Sequence, residues 1–115
     1  MTFTVYHNPR CKKSRAGLSY LQKKTTEISV VDYFKTPFTS DEFKILLMKL
    51  NKKPQEMIRL QEKYFKKELK GRHFNDDEWV KIILENPKLI KRPVVAVGNK
   101  AVWADPVEVI DSLFT

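Results

Sequence analysis

Residues 5–15 read VYHNPRCKKSR. The stretch passes from a β-forming run through a proline-broken turn into a basic segment, and the only cysteine of the chain, Cys11, stands at the junction. On its upstream side TFTVYH (residues 2–7) alternates in polarity and is rich in β-formers, which predicts a strand. On its downstream side Lys12 to Lys24 reads as a helix, with Gly17, Leu18, Tyr20 and Leu21 toward the interior. EISVVDYF (residues 27–34) is dense in β-branched and aromatic residues and predicts a second strand. A strand, a helix and a strand in this order predict a right-handed parallel unit.

Farther along, Thr39 with Glu42 forms a capping-box pattern. Phe43, Leu46, Leu47 and Leu50 then follow at the spacing of a buried helical stripe. NKKP ends that helix, and PQEMIRL and EKYFKKELK read as short helical pieces. Asn75 with Glu78 is a second capping box, opening DDEWVKIILEN, and Pro87 closes this helix because the residue before a proline is biased away from helical backbone. RPVVAV, the turn GN and KAVWA predict a β-hairpin. Asp105 as cap, Pro106 in the first turn and Glu108 as box partner predict a last helix, with Val107, Ile110, Leu113 and Phe114 on its inner face.

The element order is β-α-β, a helical block, then β-β-α. With the block removed, a thioredoxin-like order remains. The expectation is an α/β fold of that type with a mixed sheet, residues 1–115 forming one domain and residues from about 39 to 86 a helical insertion within it.

Composition agrees with one core. The chain has 115 residues, 42% hydrophobic and 11% aromatic, which is enough to bury a core and argues against disorder. No run of apolar residues reaches membrane-spanning length, so no membrane association is expected. The N-terminus lacks the pattern of a signal peptide. One cysteine excludes an internal disulfide and fits a cytoplasmic setting. The net charge of +8 is uneven: residues 49–72 hold nine Lys/Arg and three Glu, a net of +6. That segment reads as a lysine-rich solvated face. No zinc-finger, RNA-binding aromatic or helix-turn-helix pattern accompanies it, so nucleic acid is not an expected partner.

The chemistry concentrates at Cys11. The start of a helix presents free backbone N–H groups and the positive end of the helix dipole. Arg10, Lys12, Lys13 and Arg15 add positive potential, and His7 lies across the turn. These effects favour thiolate, the nucleophilic form. In the spacing C-K-K-S, Ser14 occupies the place of a second thiol. Its hydroxyl can donate to the thiolate but cannot resolve a mixed disulfide, so the resolving thiol comes from outside. Cys11, His7 and His73 match no zinc pattern, and no metal site is expected. In IKRPVV, Arg92–Pro93 is a candidate cis bond just before a buried strand. In a thioredoxin-like fold that junction faces the first helix, which puts Arg92 close to Cys11.

Together, YHNPRCKKSR, YFKTPFTSDEF, MIR, ENPKLIKRPVV and DPVEVI resemble, in order and across essentially the whole chain, the glutaredoxin-dependent arsenate reductase family. The resemblance implies that Cys11 is the nucleophile, with His7 and Ser14 tuning its thiolate and Arg59 and Arg92 binding the oxyanion. It implies no bound cofactor, glutathione as co-substrate, and glutathione or glutaredoxin as the resolving thiol. The substrate would be arsenate or a glutathione-linked thiol. The family's third arginine, just before the proline of the last helix, is Asp105 here. Spx-type transcriptional regulators share the fold, so a regulator that binds RNA polymerase is the alternative. Their usual two-cysteine switch cannot form in this chain.

Overall fold

Alternation along β1 (Phe3–His7) puts Phe3, Val5 and His7 on one face, and all three are buried. The computed structural model describes residues 1–115 and places β1 inside a four-stranded sheet of order β2-β1-β3-β4. After α1 (Lys12–Gln22), β2 (Ile28–Asp32) returns parallel to β1, in register from Phe3 opposite Ile28 to His7 opposite Asp32. β3 (Val94–Val97) pairs antiparallel on the other side, Val5 opposite Val95, and β4 (Lys100–Trp103) closes the hairpin. This is the mixed sheet of a thioredoxin-like α/β fold. Gly98 takes φ 57 at the β3–β4 turn, a left-handed conformation that glycine adopts without a Cβ clash.

The chain divides into two compact units, Met1–Pro37 with Arg92–Thr115, and Phe38–Lys91. The first unit holds the sheet, α1 and the C-terminal segment. Its core joins Phe3 and Val5 of β1, Leu21 of α1, Val95 of β3, and Ala104, Ile110 and Leu113 near the C-terminus. Burying each of the larger aliphatic side chains stabilises the fold by roughly 1.5–3 kcal/mol. Leu18 and Tyr20 pack against this core while half-buried. α1 ends two residues earlier than Lys24, because Leu21 accepts from both Lys24 and Thr25 N–H groups. β2 stops at Asp32, whose side chain accepts from Phe34 N–H and turns Tyr33 and Phe34 out of the strand.

The C-terminal segment differs from expectation. Val107–Phe114 winds as a 3₁₀ helix, preceded by Pro106 with no side-chain cap. Asp105 does not cap it; its carboxylate is taken by Lys13 of α1. Ile110 and Leu113 are buried, and Phe114 is partly exposed while stacking on Phe3 at 4.7 Å.

In the second unit both capping boxes form. Thr39 accepts from Glu42 N–H and Glu42 from Thr39 N–H at the start of α2 (Ser40–Leu50). Asn75 and Glu78 do the same for α3 (Asp76–Glu85). Phe43, Leu46, Leu47 and Leu50 are all buried, and Asn51 ends α2 at φ 55. The two short pieces form a 3₁₀ turn, Pro54–Met57, and a π-helical turn, Phe65–Leu69. Trp79 of α3 is buried and meets Phe74 edge-on. Lys63, Lys66, Lys67 and Lys70 of the basic run are exposed. No helix is long and apolar enough to cross a membrane.

Candidate active site

The turn before α1 is built around Asn8. Its carbonyl accepts from Cys11 N–H at 2.9 Å, and its side-chain oxygen accepts from Arg10 N–H at 3.1 Å. Its own N–H donates to Ser14 Oγ at 3.3 Å, and the Arg15 guanidinium donates to the Pro9 carbonyl at 3.0 Å. These bonds hold Cys11 in extended backbone as the residue that caps α1, so its sulfur stands at the helix N-terminus. Of the backbone N–H groups there that have no intrahelical acceptor, that of Cys11 is taken by Asn8, and those of Lys12, Lys13 and Ser14 are left to serve an anion.

The Cys11 thiol is partly exposed. Burial pushes it up, but hydrogen bonds from the Ser14 backbone N–H, the Arg92 side chain and the Lys13 backbone N–H, together with the Arg92 charge, bring it below its ordinary value. The expected hydroxyl contact from Ser14 is replaced by a backbone one. The fully buried Ser14 side chain instead accepts from Asn8 and fixes the turn.

Arg92 precedes a cis proline, as its place before a buried strand suggested. Pro93 is held from two sides. Its carbonyl accepts from Ala104 N–H at 2.9 Å, and a Cβ built on Gly17 of α1 would come within 2.5 Å of its Cγ. Trp103 Nε1 donates to the Arg92 carbonyl at 3.4 Å. The absence of a side chain at Gly17 lets α1 lie directly on Pro93, which brings the Arg92 side chain to the sulfur at the start of the same helix.

His7 is only 6% exposed, and its Nδ1 is buried without a hydrogen-bond partner. Burial lowers its pKa, and Asp32 and a Ser14 backbone contact oppose this without reversing it. His7 is therefore neutral near pH 7 and brings no positive charge to the thiol, unlike the sequence-based expectation. Arg59 belongs to the second unit, where its N–H donates to the Leu89 carbonyl at 2.7 Å and its guanidinium pairs with Glu62. Two features of the site escaped sequence reasoning. Asn8 organises the turn, for which the Asn-Pro pair was a usable signal. Lys13 acts through its backbone N–H on Cys11 and through its ammonium on Asp105, a contact across 92 residues that no local pattern reveals. No cluster of three or more potential metal ligands exists.

The arrangement sets a sulfur with a lowered thiol pKa beside a guanidinium, a pairing suited to attack on an electrophile whose charge the arginine can hold. Comparison with known proteins points the same way. The sequence model of the ArsC family matches residues 6–112. An arsenate reductase of Neisseria meningitidis serogroup A is 33% identical over 111 residues, covering 95% of each chain. An arsenate reductase of Escherichia coli strain K12 is 32% identical over 108 residues, 93% of this chain and 77% of that one. The solved structure of an arsenate reductase from Vibrio cholerae superposes with a TM-score of 0.90 at 32% identity, covering 97% of both chains.

Proposed function

The chain belongs to the ArsC family, and from that membership we propose that it is a single-cysteine thiol oxidoreductase of the arsenate reductase type. The observation that carries this reading is the Cys11 thiol, lowered against the pull of burial by Ser14 N–H, Arg92 and Lys13 N–H. In the proposed reaction the thiolate attacks arsenic of arsenate, forming an S–As bond while one oxygen leaves as water after protonation. Arg92 holds the charge of the remaining oxygens. Glutathione replaces a second oxygen in the same way. A further thiol, from glutaredoxin or glutathione, then attacks the glutathione sulfur. The electron pair of the broken S–As bond stays on arsenic, so As(V) becomes As(III) and two thiols become a disulfide; water then displaces Cys11 from arsenic, which releases arsenite and restores the thiol. On a glutathione-linked disulfide, the same thiolate would take the glutathione sulfur and release the partner thiol, with external glutathione restoring Cys11. Ser14 tunes the thiolate through its N–H, and His7 serves as a neutral wall of the turn.

Arg59 is assigned the second oxyanion contact on the family resemblance, and Glu62 competes for its guanidinium. Glu62→Gln should therefore lower the arsenate KM by about threefold, the scale of a modest ion pair. An unchanged KM, with Arg59→Ala also silent, would remove Arg59 from the site.

The test of the whole reading is arsenate reduction with glutathione, with and without glutaredoxin, in the wild type, Cys11→Ser and Arg92→Ala. Loss of all reduction in Cys11→Ser and strong loss in Arg92→Ala are expected. Reduction that survives Cys11→Ser would overturn it, as would no reduction of either arsenate or a glutathione-linked disulfide by the wild type.

A further inference from the structure

Asp105 and Lys13 form an ion pair, Nζ to Oδ2 at 2.7 Å, between the turn after β4 and the first turn of α1. The carboxylate is the better shielded partner, its side chain 30% exposed against 66% for Lys13. Its backbone is fixed: Asp105 N–H donates to the Trp103 carbonyl at 2.9 Å, and neighbouring Ala104 N–H donates to Pro93 at 2.9 Å. The pair is thus tied to Pro93, which follows Arg92, and to Lys13, whose backbone N–H reaches the sulfur. Two of the three residues that bring an amide or a cation to Cys11, Lys13 and Arg92, are thus linked to one carboxylate, and Ser14 is not.

We propose that Asp105 determines the charge selectivity of the Cys11 site: by claiming Lys13 it cancels a cation at the helix start, so the site favours electrophiles uncharged at the reacting end over fully ionised tetrahedral oxyanions. The inference rests on the reading of Cys11 as a nucleophile. A second negative charge entering at the helix start meets a Lys13 ammonium already held by a carboxylate at 2.7 Å. An uncharged centre, such as the sulfur of a disulfide, meets no such competitor. Arg92 remains to hold one charge, which a mixed-disulfide substrate with a single nearby carboxylate would supply. Within the proposed function, this shifts preference from arsenate toward thiol-linked substrates.

The experiment compares alkylation of Cys11 by iodoacetate and iodoacetamide, two probes alike in size that differ in charge. Each rate is taken across pH so that the thiol pKa is fitted separately, and the ratio of thiolate rate constants is the readout. Asp105→Asn frees Lys13 and should raise the iodoacetate-to-iodoacetamide ratio by about threefold, the Coulomb effect of one unit charge several ångströms away in water. Lys13→Ala leaves the carboxylate uncompensated and should lower the ratio below wild type. The double variant should return it toward wild type. The differences should shrink in high salt. A ratio that stays the same in all four proteins, with Cys11 reactive in each, would overturn this inference and leave the nucleophile reading intact. A Cys11 that reacts with neither probe in the wild type would sink both.

Discussion

At Cys11, burial and hydrogen bonding pull the thiol in opposite directions, and Arg92 is the one side chain that tips the outcome. Arg92→Ala should raise the apparent thiol pKa, because a close opposite charge is lost. The check is the pH dependence of iodoacetamide alkylation, whose inflection should move to higher pH; an inflection that stays in place would count against Arg92. His7 sets a second expectation. Since burial holds it neutral, the same profile should show only the thiol inflection and none near the ordinary histidine range. A two-step profile that becomes one-step in His7→Phe would show that His7 titrates against the thiol after all. Much of this site was legible because its signal is local: the strand-turn-helix passage gives Cys11 its place, and the proline after Arg92 marks the facing junction. What was misread depends on atoms that sequence does not display. Ser14 invites a reading through its hydroxyl, but its amide faces the sulfur. Asp105 followed by Pro106 and Glu108 has the local form of a helix start, yet a lysine 92 residues away wins the carboxylate.

Among the elements, the capping boxes were the most readable, since each closes within four residues and needs no tertiary partner. Thr39→Ala and Asn75→Ala should each destabilise the protein by about 1 kcal/mol in chemical denaturation, whereas Ser at either position should cost little. α1 poses a different constraint. Its Gly17 reads as an ordinary inward position in the sequence, but the structure leaves no room for a methyl group beside Pro93. Gly17→Ala gains helix propensity and loses more through overpacking, for a net cost of about 1–3 kcal/mol. It should also raise the thiol pKa, because moving α1 off Pro93 moves Cys11 away from Arg92. Alanine tolerated at full stability with an unchanged alkylation profile would show that the contact is not a constraint.

For the molecule as a whole, half-buried Tyr20 with exposed Lys24 and Asp111 joins α1 to the C-terminal 3₁₀ helix. Lys24 and Tyr20 depress the Asp111 pKa, and Asp111 raises those of Lys24 and Tyr20. The depressed carboxyl contributes stability above its unfolded pKa and loses it as pH falls through the lower folded value. The raised lysine contributes stability below its unfolded pKa and loses it as pH rises through the higher folded value. Asp111→Asn should flatten the dependence of the denaturation midpoint on pH at both the acid and the alkaline end, most visibly at low ionic strength. Equal slopes in the two proteins would assign the cluster no part in stability.

Trp79 lies in the second unit, and Trp103, bonded to the Arg92 carbonyl, lies in the first; the chain has no other tryptophan. The protein therefore carries one native fluorophore per unit. Trp79→Phe leaves emission that reports on the ring beside the junction next to Cys11, and Trp103→Phe leaves emission that reports on the helical unit alone. With these two single-fluorophore proteins, optical melting of each unit can be followed separately inside an intact chain, without any introduced dye.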